Sequence, residues 1–115
     1  MAAISIDVQD NVYYEAWNDS DENGKPAGGK FLSPGIVITW QKGPLAQDGF
    51  EKAPNGAFVD TVIFAALQRL RYYNTTEFAC RENSLAITHL EEAQHWLTHR
   101  RATRKARGVQ GTHQI

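Results

Sequence analysis

The sequence predicts an α+β chain, with an N-terminal antiparallel β-sheet followed by a C-terminal antiparallel two-helix hairpin. Three observations carry this. Apolar residues in the first half alternate with period two, as on a half-buried strand. After residue 56 the period changes to i, i+3, i+4, i+7, as on an amphipathic helix. The two helical patterns are joined by a link so short that the helices must be antiparallel neighbours. At 115 residues, 42% apolar and 22% charged, the chain has the composition of one globular domain. Its organisation is a strand-rich half over 1–52 and a helical half over 53–115.

Ile4, Ile6 and Val8 alternate with Ser5, Asp7 and Gln9, which predicts a first strand. Val12-Tyr13-Tyr14-Glu15-Ala16-Trp17 is aromatic-rich and predicts a second. Residues 18–29 are crowded with Asn, Asp, Gly and Pro, the composition of a long hairpin loop. Lys30-Phe31-Leu32 gives a short strand before Pro34-Gly35, and Ile36-Val37-Ile38-Thr39-Trp40 is the strongest strand pattern of all. Residues 45–56 are polar and turn-rich.

Val59, Val62, Ile63, Ala66, Leu67, Leu70 and Tyr73 form one helical stripe over 57–73, with Asn55 as its expected N-cap and Asp60 in the first turn. Ala79, Asn83, Ala86, Ile87, Leu90, Ala93, Leu97 and Arg100 form the stripe of a second helix over 77–106. Thr76 is placed to cap it, and Gly108 falls where a left-handed residue ends a helix. This stripe is longer than the first helix covers, leaving Trp96 and Leu97 partly unpaired, so the chain is expected to associate at least as a dimer.

Net charge is −1, but the charge is polarised. Residues 1–22 carry Asp7, Asp10, Glu15, Asp19, Asp21 and Glu22 with no Lys or Arg, whereas five Lys/Arg and three His follow Glu92 with no acid among them. A duplex-binding protein is usually basic over a broader face, so a small anionic ligand suits this arrangement at least as well. A single cysteine, Cys80, excludes an intrachain disulfide and predicts a reducing compartment. Its bland role is that of a small buried hydrophobe. The first residues lack a signal-peptide core, and no apolar run approaches a membrane span, so a soluble cytoplasmic protein is expected.

Arg100 and Arg104 are four apart and project from one helical face, with Arg107 continuing the row. Such guanidiniums either form a solvated basic face or share an anion, and phosphate matches their bidentate geometry. Gly108, Gly111, Thr112 and His113 add small residues and a hydroxyl that let backbone amides approach an anion. Asn83 falls on the inner stripe, either paired within the core or contacting a ligand. Tyr72, Tyr73 and Phe78 cluster at the hairpin turn, where aromatic rings either pack together or stack a purine. A helix of thirty residues is about 45 Å long, so turn aromatics and distal arginines of one chain cannot touch one small ligand. A site using both must lie between antiparallel copies. Nucleophile elbows, glycine-rich phosphate loops and HExxH are absent from the sequence, which points away from an enzyme. His95 and His99 have the i, i+4 spacing of a metal pair, but no metal or cofactor is expected.

Four stretches together resemble a known family: Ile38-Thr39-Trp40-Gln41-Lys42-Gly43-Pro44, Asn55-Gly56, Phe78-Ala79-Cys80-Arg81-Glu82-Asn83, and Arg104-x-x-Arg107-Gly108-Val109-x-Gly111-Thr112. They are similar to the phage Thoeris anti-defence protein 1 family, whose hairpin domain is shared with phage anti-CBASS sponges. The likeness spans about residues 36–113; the acidic stretch 18–29 departs from it. The resemblance implies a non-enzymatic sponge in the host bacterial cytoplasm that sequesters cyclic nucleotide messengers. These are cyclic ADP-ribose isomers and, in some members, cyclic di- or trinucleotides. It also implies dimers that can form hexamers as trimers of dimers. By position, the ligand-contacting asparagine matches Asn83, the arginine pair matches Arg100 and Arg104, and the stacking aromatic matches Tyr73, with Phe78 next. Two other readings of the basic end stand beside this one. They are a small nucleic-acid-binding module using 93–113 as a basic helix, and a structural phage protein that assembles through its basic tail.

Overall fold

The computed structural model describes the backbone of residues 3–9, 12–47, 50–51 and 53–108, and the side chains of 13–45 and 53–108. It has six strands and two helices among these residues. They are β1 (Ala3–Gln9), β2 (Val12–Ser20), β3 (Pro26–Ser33), β4 (Ile36–Thr39), β5 (Ala46–Gln47), β6 (Phe50–Glu51), α1 (Val59–Tyr73) and α2 (Arg81–Ala106). The chain divides into two compact units, one containing the strands up to Ala57 and the other containing the helices from Phe58. The predicted α+β order is the observed one.

The first unit is an antiparallel meander in the order β1-β2-β3-β4, with a separate β5-β6 pair. Residues 18–29, expected as one long loop, are mostly strand. β2 runs to Ser20, β3 starts at Pro26, and the turn occupies only the five residues between. Asp21 makes so short a turn possible. Its Oδ1 accepts from the backbone N–H of Asn23 (2.8 Å) and Lys25 (2.9 Å), while its own N–H donates to the Lys25 carbonyl. The glycines that suggested a loop belong to a bulged pairing, with a register shift between Asn18 and Ser20. Gly29 has φ +133°, and a Cβ there would lie 2.3 Å from the Trp17 carbonyl oxygen, so the strands approach at a distance only glycine permits.

Pro34-Gly35 forms the two-residue turn between β3 and β4, with Ser33 paired to Ile36. Tyr14 stacks on Phe31 across β2 and β3, centroids 5.6 Å apart. β4 has the strongest strand pattern but is an edge strand, and Val37 is 75% exposed. Residues 45–56 contain the short β5-β6 pair where only a polar connection was expected. This segment then returns beside the end of β4. Trp40 and Ala57 form an isolated parallel bridge, with Ala57 N–H donating to Thr39 O (2.8 Å) and Gln41 N–H to Ala57 O (2.9 Å).

In the second unit, α1 begins at Val59 with Phe58 as a cap residue that makes no side-chain cap bond. Asn55, the expected cap, is committed elsewhere. Its Oδ1 accepts from Lys42 N (2.8 Å), its Nδ2 donates to Lys42 O (3.0 Å), and its own N–H donates to Gln41 Oε1 (2.8 Å). The carboxamide thus pairs with Lys42 as a neighbouring strand would, and cannot also cap a helix. Gly56 allows this pairing, since a Cβ there would come within 2.5 Å of the Trp40 carbonyl. α2 starts at Arg81 rather than at 77, and its cap is Cys80, whose Sγ accepts from Asn83 N (3.4 Å). Gly108 has the expected positive φ, +74°.

The helices of 15 and 26 residues are about 22 and 39 Å long. Arg71 pairs with Glu91 (3.1 Å), Gln94 Nε2 donates to the Asp60 carbonyl (2.6 Å), and Arg101 pairs with the Asp60 carboxylate. These three ties set the antiparallel register. Val62, Ile63, Leu70 and Tyr73 of α1 are half-buried, as are Ala86, Ile87, Leu90, Ala93 and Leu97 of α2. Among the described residues Leu67 is the one buried apolar side chain. Two helices alone cover only one side of each other. Phe64, Tyr72, Leu85 and Trp96 remain exposed.

Candidate ligand-binding surfaces of the helical hairpin

The turn between the helices is a hydrogen-bonded knot built from its own polar side chains. Thr75 and Thr76 hydroxyls donate back to the carbonyls of Tyr72 (2.7 Å) and Tyr73 (2.6 Å), closing the end of α1. Thr76, the expected cap of α2, instead works within the turn, its Oγ1 also accepting from Phe78 N (3.1 Å). Asn74 bridges the two helices, with Oδ1 accepting from Cys80 N (3.4 Å) and Nδ2 donating to Ser84 Oγ (3.1 Å). Asn83 is half-buried, and its Nδ2 donates to the Phe78 carbonyl (3.2 Å). The result holds the Phe78 backbone in place while its ring is 69% exposed. Cys80 is exposed as well, because its thiol is the helix cap and not core packing.

Tyr73 is half-buried and Tyr72 exposed, their rings 6.0 Å apart. Arg69 lies against both. Its guanidinium carbon is 5.1 Å from the Tyr72 centroid and 5.0 Å from that of Tyr73. Its Nε donates to Tyr73 Oη (3.2 Å). That hydrogen bond, and the charge interaction with the same tyrosine, raise the Arg69 pKa further above its already high ordinary value. The sequence signal for this cluster is the i, i+3, i+4 spacing of Arg69, Tyr72 and Tyr73, of which only Tyr73 belongs to the apolar stripe.

The basic end of α2 is not a uniform row. Arg100 is exposed, whereas Arg104 is only 7% exposed and already engaged within the protein, as is Arg107. Arg100 and Arg104, expected on one helical face, thus differ in exposure. Arg104, seven residues beyond Leu97, shares the inner row of α2 with Arg100, and of the two only Arg104 is covered. Arg100 and Arg107 are exposed. Thr112 lies outside the described residues. His95 and His99 set their rings edge-on to Trp96, 5.5 and 6.0 Å away, and Trp96 is 66% exposed. Among the described residues no three His, Cys, Asp or Glu side chains converge as a metal site.

The hairpin therefore carries aromatic and amide groups at one end and cations at the other. Asn83 and Arg100 are seventeen positions apart, about 26 Å along the helix.

Residues 33–102 match the family described as Acb2/Tad1, hairpin domain. The chain belongs to the Acb2/Tad1 hairpin family. The span shared with that family contains the Asn55 pairing with Lys42, the turn with Tyr73, Phe78 and Asn83, and Arg100, and it ends before Arg104. A relative from Bacillus phage SBSphiJ7, named Thoeris anti-defense 1, is 44% identical over 108 residues, covering 93% of this chain and 70% of the relative. In this Acb2/Tad1 member, the likeness extends beyond the hairpin into the strand-rich unit.

Proposed function

We propose that this chain is a phage anti-defence sponge that binds a cyclic nucleotide messenger in the host cytoplasm and holds it without converting it. The observation that carries the reading is the 44% identity to Thoeris anti-defense 1 over nearly the whole chain. The chemistry of the hairpin suits it. Tyr73 and Phe78 supply rings for a base, Asn83 an amide beside them, and Arg100 an exposed guanidinium for a phosphate. Arg104 supports that end from a buried position, Arg107 adds charge, and Thr112 follows on the same segment. The ligands are cyclic ADP-ribose isomers, with cyclic di- or trinucleotides as further cargo.

The separation of the two groups dictates how the site is completed. About 26 Å of helix lies between the amide end and the cationic end, more than one cyclic dinucleotide spans. Two copies packed antiparallel bring the turn of one against the basic end of the other, and the apolar residues exposed on both helices supply the contact. The working unit is then a homodimer, able to build a hexamer as a trimer of dimers.

The test is capture and release. The protein is incubated with cyclic ADP-ribose and a panel of cyclic di- and trinucleotides, separated from free ligand, then denatured by heat. Recovery of the unchanged nucleotide supports sequestration, a converted product means an enzyme, and no uptake removes the reading. Arg100→Ala should weaken capture about ten- to a hundredfold, since a charge-assisted hydrogen bond contributes roughly 1.5–3 kcal/mol. Equal affinity of parent and Arg100→Ala would remove Arg100 from the site.

A further inference from the structure

We propose that Arg69 is a positioning residue of the nucleotide site, holding the Tyr73 ring and setting its preference for purines. The inference rests on the sponge reading above, because it assigns the ring a base to stack.

Three observations place Arg69 in this role. Its Nε–H donates to Tyr73 Oη at 3.2 Å, so the phenol is tied down at its far end and the ring does not turn freely. Its guanidinium carbon stands 5.0 Å from the centre of the Tyr73 ring and 5.1 Å from that of Tyr72, so one cation serves two faces. The backbone beneath both tyrosines is closed by the hydroxyls of Thr75 and Thr76, so the platform stands on a rigid helix end. Arg71, its near neighbour in sequence, is paired with Glu91, leaving Arg69 as the cation given over to the aromatics.

The physical consequence is preorganisation. A stacking ring that must first be ordered loses rotamer freedom on binding, and affinity falls accordingly. Tyr73 has met that cost in the folded chain. A cation against one face of an aromatic ring also draws electron density toward it, and the opposite face then favours the electron-rich surface of a purine over that of a pyrimidine. Lysine in place of Arg69 keeps the charge but has neither the Nε–H nor the flat guanidinium, so it should reproduce only part of the effect.

The experiment is a double-mutant cycle on the full chain, titrated with cyclic di-AMP and cyclic di-UMP. Arg69→Met should weaken cyclic di-AMP binding about three- to tenfold and narrow its advantage over cyclic di-UMP, with Arg69→Lys between. Tyr73→Phe removes only Oη and should produce a similar loss. The double variant should bind no more weakly than the worse single one, because both changes break the same tie. A merely structural Arg69 would lower the melting temperature without changing the ratio of the two ligands. If the parent binds cyclic di-AMP and Arg69→Met binds it equally well, or if the two losses multiply, Arg69 has no such role and the sponge reading stands. If the parent captures neither these probes nor cyclic ADP-ribose, both fall. Arg69 is exposed, so its variants should fold; if Arg69→Met does not, Arg69→Gln carries the same cycle.

Discussion

Replacing Asn55 with alanine should destabilise the strand-rich unit by about 1–2 kcal/mol. Two side-chain hydrogen bonds disappear, the 2.8 Å bond from Lys42 N and the 3.0 Å bond to Lys42 O, each contributing about 0.5–1.5 kcal/mol net. Asn55 is exposed, so water replaces part of what is lost, and the total falls toward the lower half of that sum. A melting curve at fixed protein concentration should fall by about 4–8 °C for each kcal/mol lost, in line with the usual conversion for a small domain. Asn55→Asp sharpens the test. It keeps the acceptor for Lys42 N but sets a carboxylate oxygen against Lys42 O, so at neutral pH it should be no more stable than the alanine variant. An alanine variant melting within 1 °C of the parent, or an aspartate variant matching the parent at neutral pH, would refute the pairing.

Leu67→Ala should cost about 2–3 kcal/mol in urea unfolding, since it empties the one buried apolar position described in the hairpin; a loss under 1 kcal/mol would mean the hairpin is not held from within. Arg104→Ala should lower the melting temperature while Arg100→Ala leaves it unchanged, because only Arg104 is buried. Equal effects on melting would undo the distinction. The Tyr13 phenol donates to Glu15 (2.8 Å), and that bond, with some desolvation and the nearby charge, raises its pKa above the ordinary value of about 10. Its contribution to stability is present below that ordinary value and is lost as pH rises through the raised one. Glu15→Gln should bring the Tyr13 titration, followed by ultraviolet absorbance, back toward the ordinary value.

The hairpin was legible because its signal is periodic. Val62, Ile63, Leu67, Leu70 and Tyr73 are buried or half-buried as the 3.6-residue repeat requires. The same repeat sets Arg100 and Arg104 on the row of Leu97 and does not distinguish the covered one from the exposed one. The stretch 18–29 was misjudged for a different reason. Composition cannot separate a glycine that turns a chain from one that lets two strands close on each other, as Gly29 does against Trp17. Asn55 and Thr76 had the right residue type for helix caps, but each had a nearer partner, Lys42 in one case and the carbonyl of Tyr73 in the other. Such choices depend on contacts distant in sequence or on competing geometry, which local pattern does not record. Arg69 escaped notice because it is itself exposed and lies outside the apolar stripe.

The parallel bridge between Trp40 and Ala57, with Asn55 seated on Lys42, ties together the two ends of a long excursion of chain. Whatever lies between Gly43 and Pro54 begins and finishes at a fixed point. The length of that segment is therefore uncoupled from the pairing of Trp40 with Ala57 at the end of β4. Doubling it would cost only about 0.6 kcal/mol of closure entropy. It is the natural place for an added epitope, a reporter peptide or a family-specific insertion, and the hairpin need not change to receive one.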